Sequence, residues 1–327
     1  MSGRAAHSGI TEVDEGRVLV QMASEQSVIL VGGPDAGKTN YLFRLWIALQ
    51  SGVGCLQADG LPEDMEYLHA GALSLLAGEF APRTSREVHT RNVIPVKSSM
   101  AGADFRGQLV VPDCSGEEWM RIHRNREWSA EWESVIPDLL GCLLFIRAGS
   151  EEIRAPLDWV SCMAYFGSSS ELPDAPEPPG DELELPTQVV LIDWLQCLRS
   201  AVSDVGFGSD PLRAGIVVSA WDRVPREQQE KSPLEYVATN FPMFHHFVLS
   251  NDDRYSFECF GVSVTGGDLE FAPGFREEYL RGTPSTAGYV VHTLNGTLTR
   301  SGDHTLPLAW ALGLNPRLTA EYGRVGR

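Results

Sequence analysis

Apolar and polar positions along the chain follow two periods, which predict buried strands alternating with amphipathic helices. The apolar runs Val28–Val31 and Cys142–Ala148 are short, as is typical of interior strands of a parallel sheet. Between them, apolar residues of Thr39–Leu49 recur on one face at helical spacing. Strands that alternate with helices predict an α/β fold, in which helices cover both faces of a mostly parallel sheet.

Further segments continue this alternation to about residue 270. Helices are predicted over Asp64–Gly78 and in the run TQVVLIDWLQCLRSAV. Strands are predicted as neighbours in TRNVIPVKSSM and GQLVVPDCSGEE, and later in AGIVVSAWD and FECFGVSVTG. We therefore place one main domain at residues 12–270.

The last part of the chain has a different pattern. Asn295-Gly296 lies between β-prone runs, which predicts a hairpin. The run DHTLPLAWALG predicts a short helix, with Thr305 placed to cap its start and Gly313 past its end. We expect residues 271–327 to form a small hairpin-helix extension packed on the main domain.

Two segments of the chain are not expected to form helices or strands. Residues 1–11 are expected to form a flexible tail. Ser168–Pro186 is acidic and rich in proline, which predicts a mobile insertion within the domain, with an acidic docking segment as the alternative.

Composition and charge narrow the classes of function. With 43% hydrophobic residues, the 327-residue chain can bury a full core. Its net charge of −18 repels phosphate backbones, so nucleic-acid binding is not expected as the main activity. No apolar run is long enough for a membrane span, and the N-terminus lacks the apolar core of a secretory signal. The six cysteines include no C-x-x-C pair, which argues against a zinc site and favours reduced thiols in the cytoplasm.

The run GGPDAGKT matches the phosphate-loop pattern G-x-x-x-x-G-K-[ST] completely. Gly32 and Gly37 leave room for backbone N–H groups to wrap a β-phosphate, while Lys38, one of only three lysines, brings a charge to the β- and γ-phosphates. Thr39 offers its hydroxyl to Mg²⁺, and the following helix N-terminus adds aligned N–H dipoles. The alternative is a chance glycine turn that ends in lysine. The other positions expected to contact the nucleotide are Gly33, Pro34, Asp35, Ala36 and Asn40.

A second motif, D-x-x-G, follows a predicted strand in LVVPDCSGEEW. Asp113 ends the strand, where a carboxylate reaches magnesium directly or through its water. Gly116 comes three residues later. The alternative is an ordinary aspartate turn at a strand end.

A third motif lies in GIVVSAWDRV, where Asp222 follows Ser219 by three residues after a strand. This arrangement resembles the guanine-reading N-K-x-D motif, since a carboxylate accepts hydrogen bonds from the guanine N1–H and N2 amine, which adenine does not supply. Ser219 and Ala220 stand where asparagine and lysine are usual, so the lysine stem that covers the guanine face is missing. Trp221 is the candidate for apolar cover, and a turn-capping aspartate is the alternative reading of Asp222.

The fourth motif and the order of all four carry a resemblance to a known family. Ser263 and Val264 follow a strand and resemble the loose S-A-K loop whose backbone touches guanine. The series of motifs resembles the Ras-like (TRAFAC-class) P-loop GTPases over residues 25–270. Within them it looks most like the bacterial double-GTPase-type proteins of conflict or defence systems, on the strength of GGPDAGKT, PDCSGEE, SAWD and GDHTLPLAWAL.

This resemblance implies a three-layer P-loop NTPase fold and a molecular switch that binds GTP or GDP with Mg²⁺, hydrolyses GTP slowly and acts with a partner protein. It also implies that the N–H of Gly116 contacts the γ-phosphate, and that Lys38 acts in catalysis. An ATP-binding regulator, favoured by the missing lysine, and a nucleotide-binding interaction module with little hydrolysis remain the alternatives.

The resemblance further implies switch residues between the first helix and the D-x-x-G motif. Thr84 is our candidate for the threonine that closes over magnesium, with Ser85 and Thr90 as competitors. Arg83 is a candidate arginine finger, or else a solvated loop arginine. Glu117 stands where these enzymes commonly carry the glutamine that orients water, and its charge near phosphate predicts slow turnover.

Overall fold

The structure is a computed structural model. It describes residues 27–81, 91–99, 105–112, 116–128, 132, 135–156, 185–204 and 210–314. The predicted tail at residues 1–11 and all but the last two residues of the insertion at 168–186 lie outside this part of the chain.

The strands in the described residues carry the labels β1 to β9. They are β1 Ser27–Val31, β2 Leu56–Ala58, β3 Arg91–Ser98, β4 Arg106–Pro112, β5 Leu139–Arg147, β6 Leu212–Ser219, β7 Tyr255–Ser263, β8 Tyr289–Leu294 and β9 Thr297–Ser301. The helices are α1 Lys38–Ser51, α2 Met65–Leu76, α3 Gly116–Asn125, α4 Thr187–Asp204, α5 Arg226–Gln229, α6 Pro233–Asn240, α7 Pro242–Leu249, α8 Pro273–Arg281 and α9 Leu306–Ala311.

All nine of these strands form one sheet in the order β2-β3-β4-β1-β5-β6-β7-β8-β9. The five central strands of this order are β4, β1, β5, β6 and β7, and each pairs in parallel with its neighbours among them. At both edges the pairs are antiparallel. The α/β class with a large sheet flanked by helices is confirmed, and the antiparallel edges make the sheet mixed.

Helices pack on both faces of the sheet because the central strands are apolar on both sides. All five residues of β1 are buried, and they alternate between two cores. Ile29 and Val31 join a core with side chains of α3, α4, α6 and α7. Val28 and Leu30 join a second core with side chains of α1, α2 and α9. The result is three layers, with the sheet in the middle.

The residues after 271 extend this same sheet. β8 pairs antiparallel with β7, and β9 returns through a turn at Asn295 and Gly296, which have positive φ of 50° and 77°. The Tyr41 hydroxyl of α1 donates to the buried carbonyl of His304 (3.0 Å). The buried guanidinium of Arg44 donates to the carbonyls of Pro284 (2.8 Å) and Ser285 (3.2 Å). The C-terminal segment is thus attached to the helix that follows the glycine loop.

Thr305 does not cap α9 as its position predicts. It is the residue before the helix, but its hydroxyl makes no capping hydrogen bond. The hydroxyl instead donates to the Asp303 carboxylate (2.6 Å) and accepts from the Leu56 backbone N–H (3.2 Å). That prediction was wrong because the hydroxyl oxygen, which a cap needs as the acceptor for a helix N–H, accepts from β2 instead.

Candidate functional site

The glycine loop connects β1 to α1 and has no space for side chains at two positions. Gly37 has a φ of +88°, and a Cβ on it would lie 2.8 Å from the Ser219 hydroxyl oxygen. A Cβ on Gly32 would lie 3.1 Å from the Phe145 carbonyl oxygen. Backbone conformation and close approach therefore favour glycine at both ends of the loop, most strongly at Gly37, since Gly32 has a φ of +155° and a looser contact.

Positive charge is concentrated where the loop meets α1. The Lys38 ammonium donates to the carbonyls of Gly32 (2.5 Å) and Gly33 (2.8 Å), so it lies over the start of the loop. Thr39 follows in the first turn of α1, which contains no acidic residue to offset the helix dipole. The Asn40 side-chain oxygen accepts from the backbone N–H of Ala81 (3.0 Å). This arrangement suits a phosphate group, since a cation and aligned N–H groups meet at a backbone that no Cβ obstructs.

The loop also carries one negative charge, which is paired. Asp35 has a positive φ of 58°, and its carboxylate forms an ion pair with the Arg147 guanidinium at the end of β5. Both side chains are about one quarter exposed, at 26% and 28%. Pro34 beside Asp35 is exposed and Ala36 is buried. Arg147 thereby neutralises a carboxylate at the place where phosphates are expected.

The third motif is joined directly to the loop. The buried Ser219 hydroxyl at the end of β6 donates to the Ala36 carbonyl (2.7 Å). Ala220 then takes a positive φ of 52°, and the turn Trp221–Arg223 follows. Asp222 in this turn is partly exposed. The serine that departs from the N-K-x-D pattern is thus the residue that couples this motif to the loop.

Trp221 is part of the core. Its indole is 1% exposed, and a Cβ on Gly261 would lie 2.4 Å from it. The ring also packs edge-on against Tyr236, with centroids 5.6 Å apart. The indole presents no open face in this structure, and its contact with a base stays a prediction.

The fourth motif is held by the C-terminal segment. Ser263 is the last residue of β7, and its hydroxyl accepts from the Gly266 backbone N–H (2.9 Å). The Ser263 carbonyl lies 3.3 Å from Nε2 of His304. Burial lowers the pKa of His304 to about 4, with a further contribution from the Arg44 charge, so the imidazole is neutral near pH 7. Val264 is partly buried next to this contact.

The helix after the D-x-x-G motif, α3, begins at Gly116 and contains Glu117 in its first turn. The Trp194 indole of α4 donates to the Trp119 carbonyl (2.8 Å) and lies 3.7 Å from the position of a Cβ on Gly33. One tryptophan therefore touches both the glycine loop and α3. Asp193, its neighbour, pairs with His123 and Arg126 near the end of α3. These contacts hold α3 on α4 and beside the loop.

The parallel strands bring these parts together, because β1, β5, β6 and β7 all end at the same edge of the sheet, the one formed by the carboxyl ends of the parallel strands. Arg83, Thr84 and Asp113 lie outside the described residues. Within the described part, no group of three or more histidine, cysteine or acidic side chains forms a metal site by itself. The residues present fit magnesium held jointly by Thr39 and phosphate oxygens, as Mg²⁺ is commonly bound through one or two protein ligands and substrate phosphates.

Comparison with known families decides the assignment. The sequence profile of the Double-GTPase 1 family matches residues 29–311, which include most of the chain and all four motifs. The chain belongs to the Double-GTPase 1 family. The resemblance that the motifs predict is thereby confirmed at the level of the family.

Other comparisons add little to the Double-GTPase 1 assignment. A structural match is a chain of the signal recognition particle receptor SRb-GTP/SRX complex from Chaetomium thermophilum, at 16% identity and a TM-score of 0.32, covering 78% of this chain and 97% of that chain. No curated protein matches the chain. In the part that the structure describes, none of the helices has the length and apolar character needed to cross a membrane.

Sequence patterns missed the contacts that Arg147, Trp194 and Ser219 make at this candidate site. Arg147 carried a usable signal, since a charge near the end of an apolar parallel strand lies at the edge where ligands bind. Trp194 and Ser219 carried none, because each contacts a loop that is distant in sequence.

Replacing Arg147 by methionine is expected to weaken nucleotide binding about tenfold. The change leaves the Asp35 carboxylate unpaired beside the phosphates, a repulsion of about 1–2 kcal/mol for partly exposed charges. Titration with a fluorescent nucleoside triphosphate at two salt concentrations measures the loss, which should shrink at high salt.

The double variant Asp35→Asn, Arg147→Met provides the control, since it removes both charges and should recover most of the affinity. Asparagine also tolerates the positive φ at position 35. A double variant that binds as weakly as Arg147→Met alone would contradict this role of the ion pair.

Proposed function

We propose that this protein is a Mg²⁺-dependent switch that binds GTP and hydrolyses it slowly, and that a partner protein recognises its nucleotide state. The hydrogen bond from Ser219 to the Ala36 carbonyl carries this proposal. It joins the motif that resembles a guanine reader to the phosphate loop, so both belong to one site. Membership of the Double-GTPase 1 family supports the same function.

In this proposal the loop binds the phosphates and the later motifs bind the base. The backbone N–H groups between Gly33 and Thr39, other than at Pro34, which has none, wrap the phosphates. The Lys38 ammonium moves from its carbonyl partners to the β- and γ-phosphates. Asp222 accepts the guanine N1–H and N2 amine, and the Ser263–Val264 backbone contacts the base. Magnesium, which neutralises developing phosphate charge, is assigned to Thr39 with Thr84 and Asp113.

Residues near the γ-phosphate set the proposed rate of turnover. The Gly116 N–H is assigned to the γ-phosphate, and Glu117 to the attacking water. Arg83 is assigned to the stabilisation of γ-phosphate charge. A carboxylate at Glu117 accepts a hydrogen bond from water but adds charge beside phosphate, so turnover without a partner is expected to be slow.

The proposed setting follows from the family resemblance alone. We place the protein in the bacterial cytoplasm, where the GTP-bound form engages an effector or another component encoded with it in a defence system.

Base selectivity tests the proposal first. Unlabelled GTP or GDP should displace a fluorescent GTP analogue at concentrations at least about a hundredfold below those needed for ATP, since adenine leaves the Asp222 carboxylate unpaired. Equal displacement by ATP would favour an ATP-binding regulator instead.

Replacing Asp222 by asparagine is expected to weaken GTP binding at least about tenfold and to improve binding of xanthosine triphosphate. The asparagine amide donates a hydrogen bond to the xanthine C2 carbonyl, which the aspartate carboxylate repels. Competition titrations with both nucleotides measure the change.

Asp253→Asn is the matched control, since Asp253 is exposed beside the start of β7, at the opposite edge of the sheet. It should bind both nucleotides like the wild type. If Asp222→Asn kept the wild-type preference for GTP over xanthosine triphosphate, the assignment of Asp222 to the guanine base would be contradicted.

A further inference from the structure

The C-terminal hairpin lies next to β7, which carries one of the two motifs assigned to the base, and two strands from β6, which carries the other. Ser219 at the end of β6 is paired with Val262, and Ser263 at the end of β7 is paired with Tyr289 at the start of β8. Because neighbouring strands lie about 5 Å apart, Tyr289 is only two strand spacings from the end of β6. The strand order therefore puts the start of β8 at the edge where the base is expected.

Arg300 of β9 lies on the ring of Tyr289. Its guanidinium carbon is 3.4 Å from the ring centroid, while the arginine itself is exposed. Among the described residues, no carboxylate forms an ion pair with Arg300. One face of this planar cation is thus covered by an aromatic ring, and the other is accessible to a planar ligand.

The hairpin lies close against the Ser263–Val264 loop. Gly288, just before Tyr289, has a φ of +82°, and a Cβ on it would lie 2.5 Å from the Ser263 carbonyl oxygen. His304, just after β9, is close to the same carbonyl from within the core. These two contacts on either side of the hairpin fix its position relative to the loop.

Asp222 acts on the same tyrosine. Burial raises the pKa of Tyr289, the Arg300 cation opposes this shift, and the Asp222 carboxylate adds to it. The carboxylate assigned to the guanine edge and the cation on the hairpin are therefore both within electrostatic range of one ring.

The turn after β6 leaves the face of a base uncovered. Ala220 stands where a lysine stem is usual, and the Trp221 indole is buried against Gly261. We propose that Arg300, supported by Tyr289, stacks on the guanine base and takes the place of the missing lysine. This inference rests on the proposed function, and it makes the C-terminal hairpin part of the nucleotide site.

The experiment compares GTP with magnesium tripolyphosphate, which has the phosphates of GTP without a base. In the purified full chain, Arg300→Ala should weaken GTP binding about tenfold and leave tripolyphosphate binding unchanged, because only the stacking contact is lost. Arg300→Lys, which keeps the charge but not the plane, should fall between the wild type and Arg300→Ala. Arg281→Ala is the control, since Arg281 is exposed on α8 and pairs with Glu277.

Two results would overturn the inference: GTP affinity of Arg300→Ala equal to that of the wild type, or an equal loss for GTP and tripolyphosphate, which would indicate a general charge effect. The proposed function fails separately, when the wild type itself binds GTP no better than tripolyphosphate. Thermal melting checks that each variant is folded, which is expected because Arg300 is exposed.

Discussion

The variant Lys38→Ala is expected to bind Mg²⁺–GTP at least about a hundredfold more weakly than the wild type and to lose GTP turnover. A hundredfold loss corresponds to about 2.7 kcal/mol, within the range for a contact between a charged donor and a phosphate. Neither of the other two lysines of the chain replaces it, since Lys97 lies in β3 and Lys231 precedes α6. Lys97 is paired with Asp59 beside β2.

Lys231→Ala is the matched control, since this exposed lysine precedes α6 and lies outside the site. It should retain wild-type binding and phosphate release. Binding is measured with a fluorescent GTP analogue, and turnover by phosphate release. Turnover that persists in Lys38→Ala would contradict the assignment of the loop, while a wild type that binds GTP without releasing phosphate would favour the interaction module.

The second large effect is expected for Gly37→Ala, which should weaken nucleotide binding more than about tenfold and lower the melting temperature. Alanine at a φ of +88° costs about 1–2 kcal/mol of backbone strain. Its Cβ would also lie 2.8 Å from the Ser219 hydroxyl oxygen, so Ser219 must move away from the Ala36 carbonyl. The change thus distorts the loop and separates it from the base motif.

Gly52→Ala separates the two causes. Gly52 ends α1 with a φ of +65°, and the nearest atom to a Cβ there is the Gln57 side-chain oxygen at 3.5 Å. This variant has similar strain but no close contact, so it should lose stability and keep wild-type affinity. The role of the Ser219 contact would be contradicted by a Gly37→Ala protein that melts earlier but binds nucleotide normally.

The glycine loop could be recognised from sequence because its physics is local. The loop and the helix start are eight consecutive residues, and their conformation depends on glycine at two of them and on an apolar strand before them. The buried central strands were predictable for a similar reason, since a strand covered on both faces needs apolar residues at every position, as in β1. These features determined the α/β class and the phosphate-binding hypothesis.

The edges of the sheet depended on more than local pattern. An apolar run predicts a strand but not its direction, because parallel and antiparallel pairs bury the same residues. β3 was therefore predicted as a neighbour of β4, but its antiparallel direction appeared only in the fold. Thr305 shows the same restriction on a smaller scale, since the backbone N–H that uses its hydroxyl oxygen belongs to β2, 249 residues away in sequence.

Local sequence was enough to specify the phosphate cradle, its lysine and the strands that carry the four motifs. The assembled fold added the Ser219 bond to the loop, across 183 residues, and the Arg147–Asp35 ion pair, across 112 residues. It also placed Tyr289 opposite Ser263 of the fourth motif, and Arg300 on the ring of Tyr289, through the order β7-β8-β9. Such contacts depend on which strands become neighbours, and that order minimises the free energy of the whole chain rather than that of any single segment.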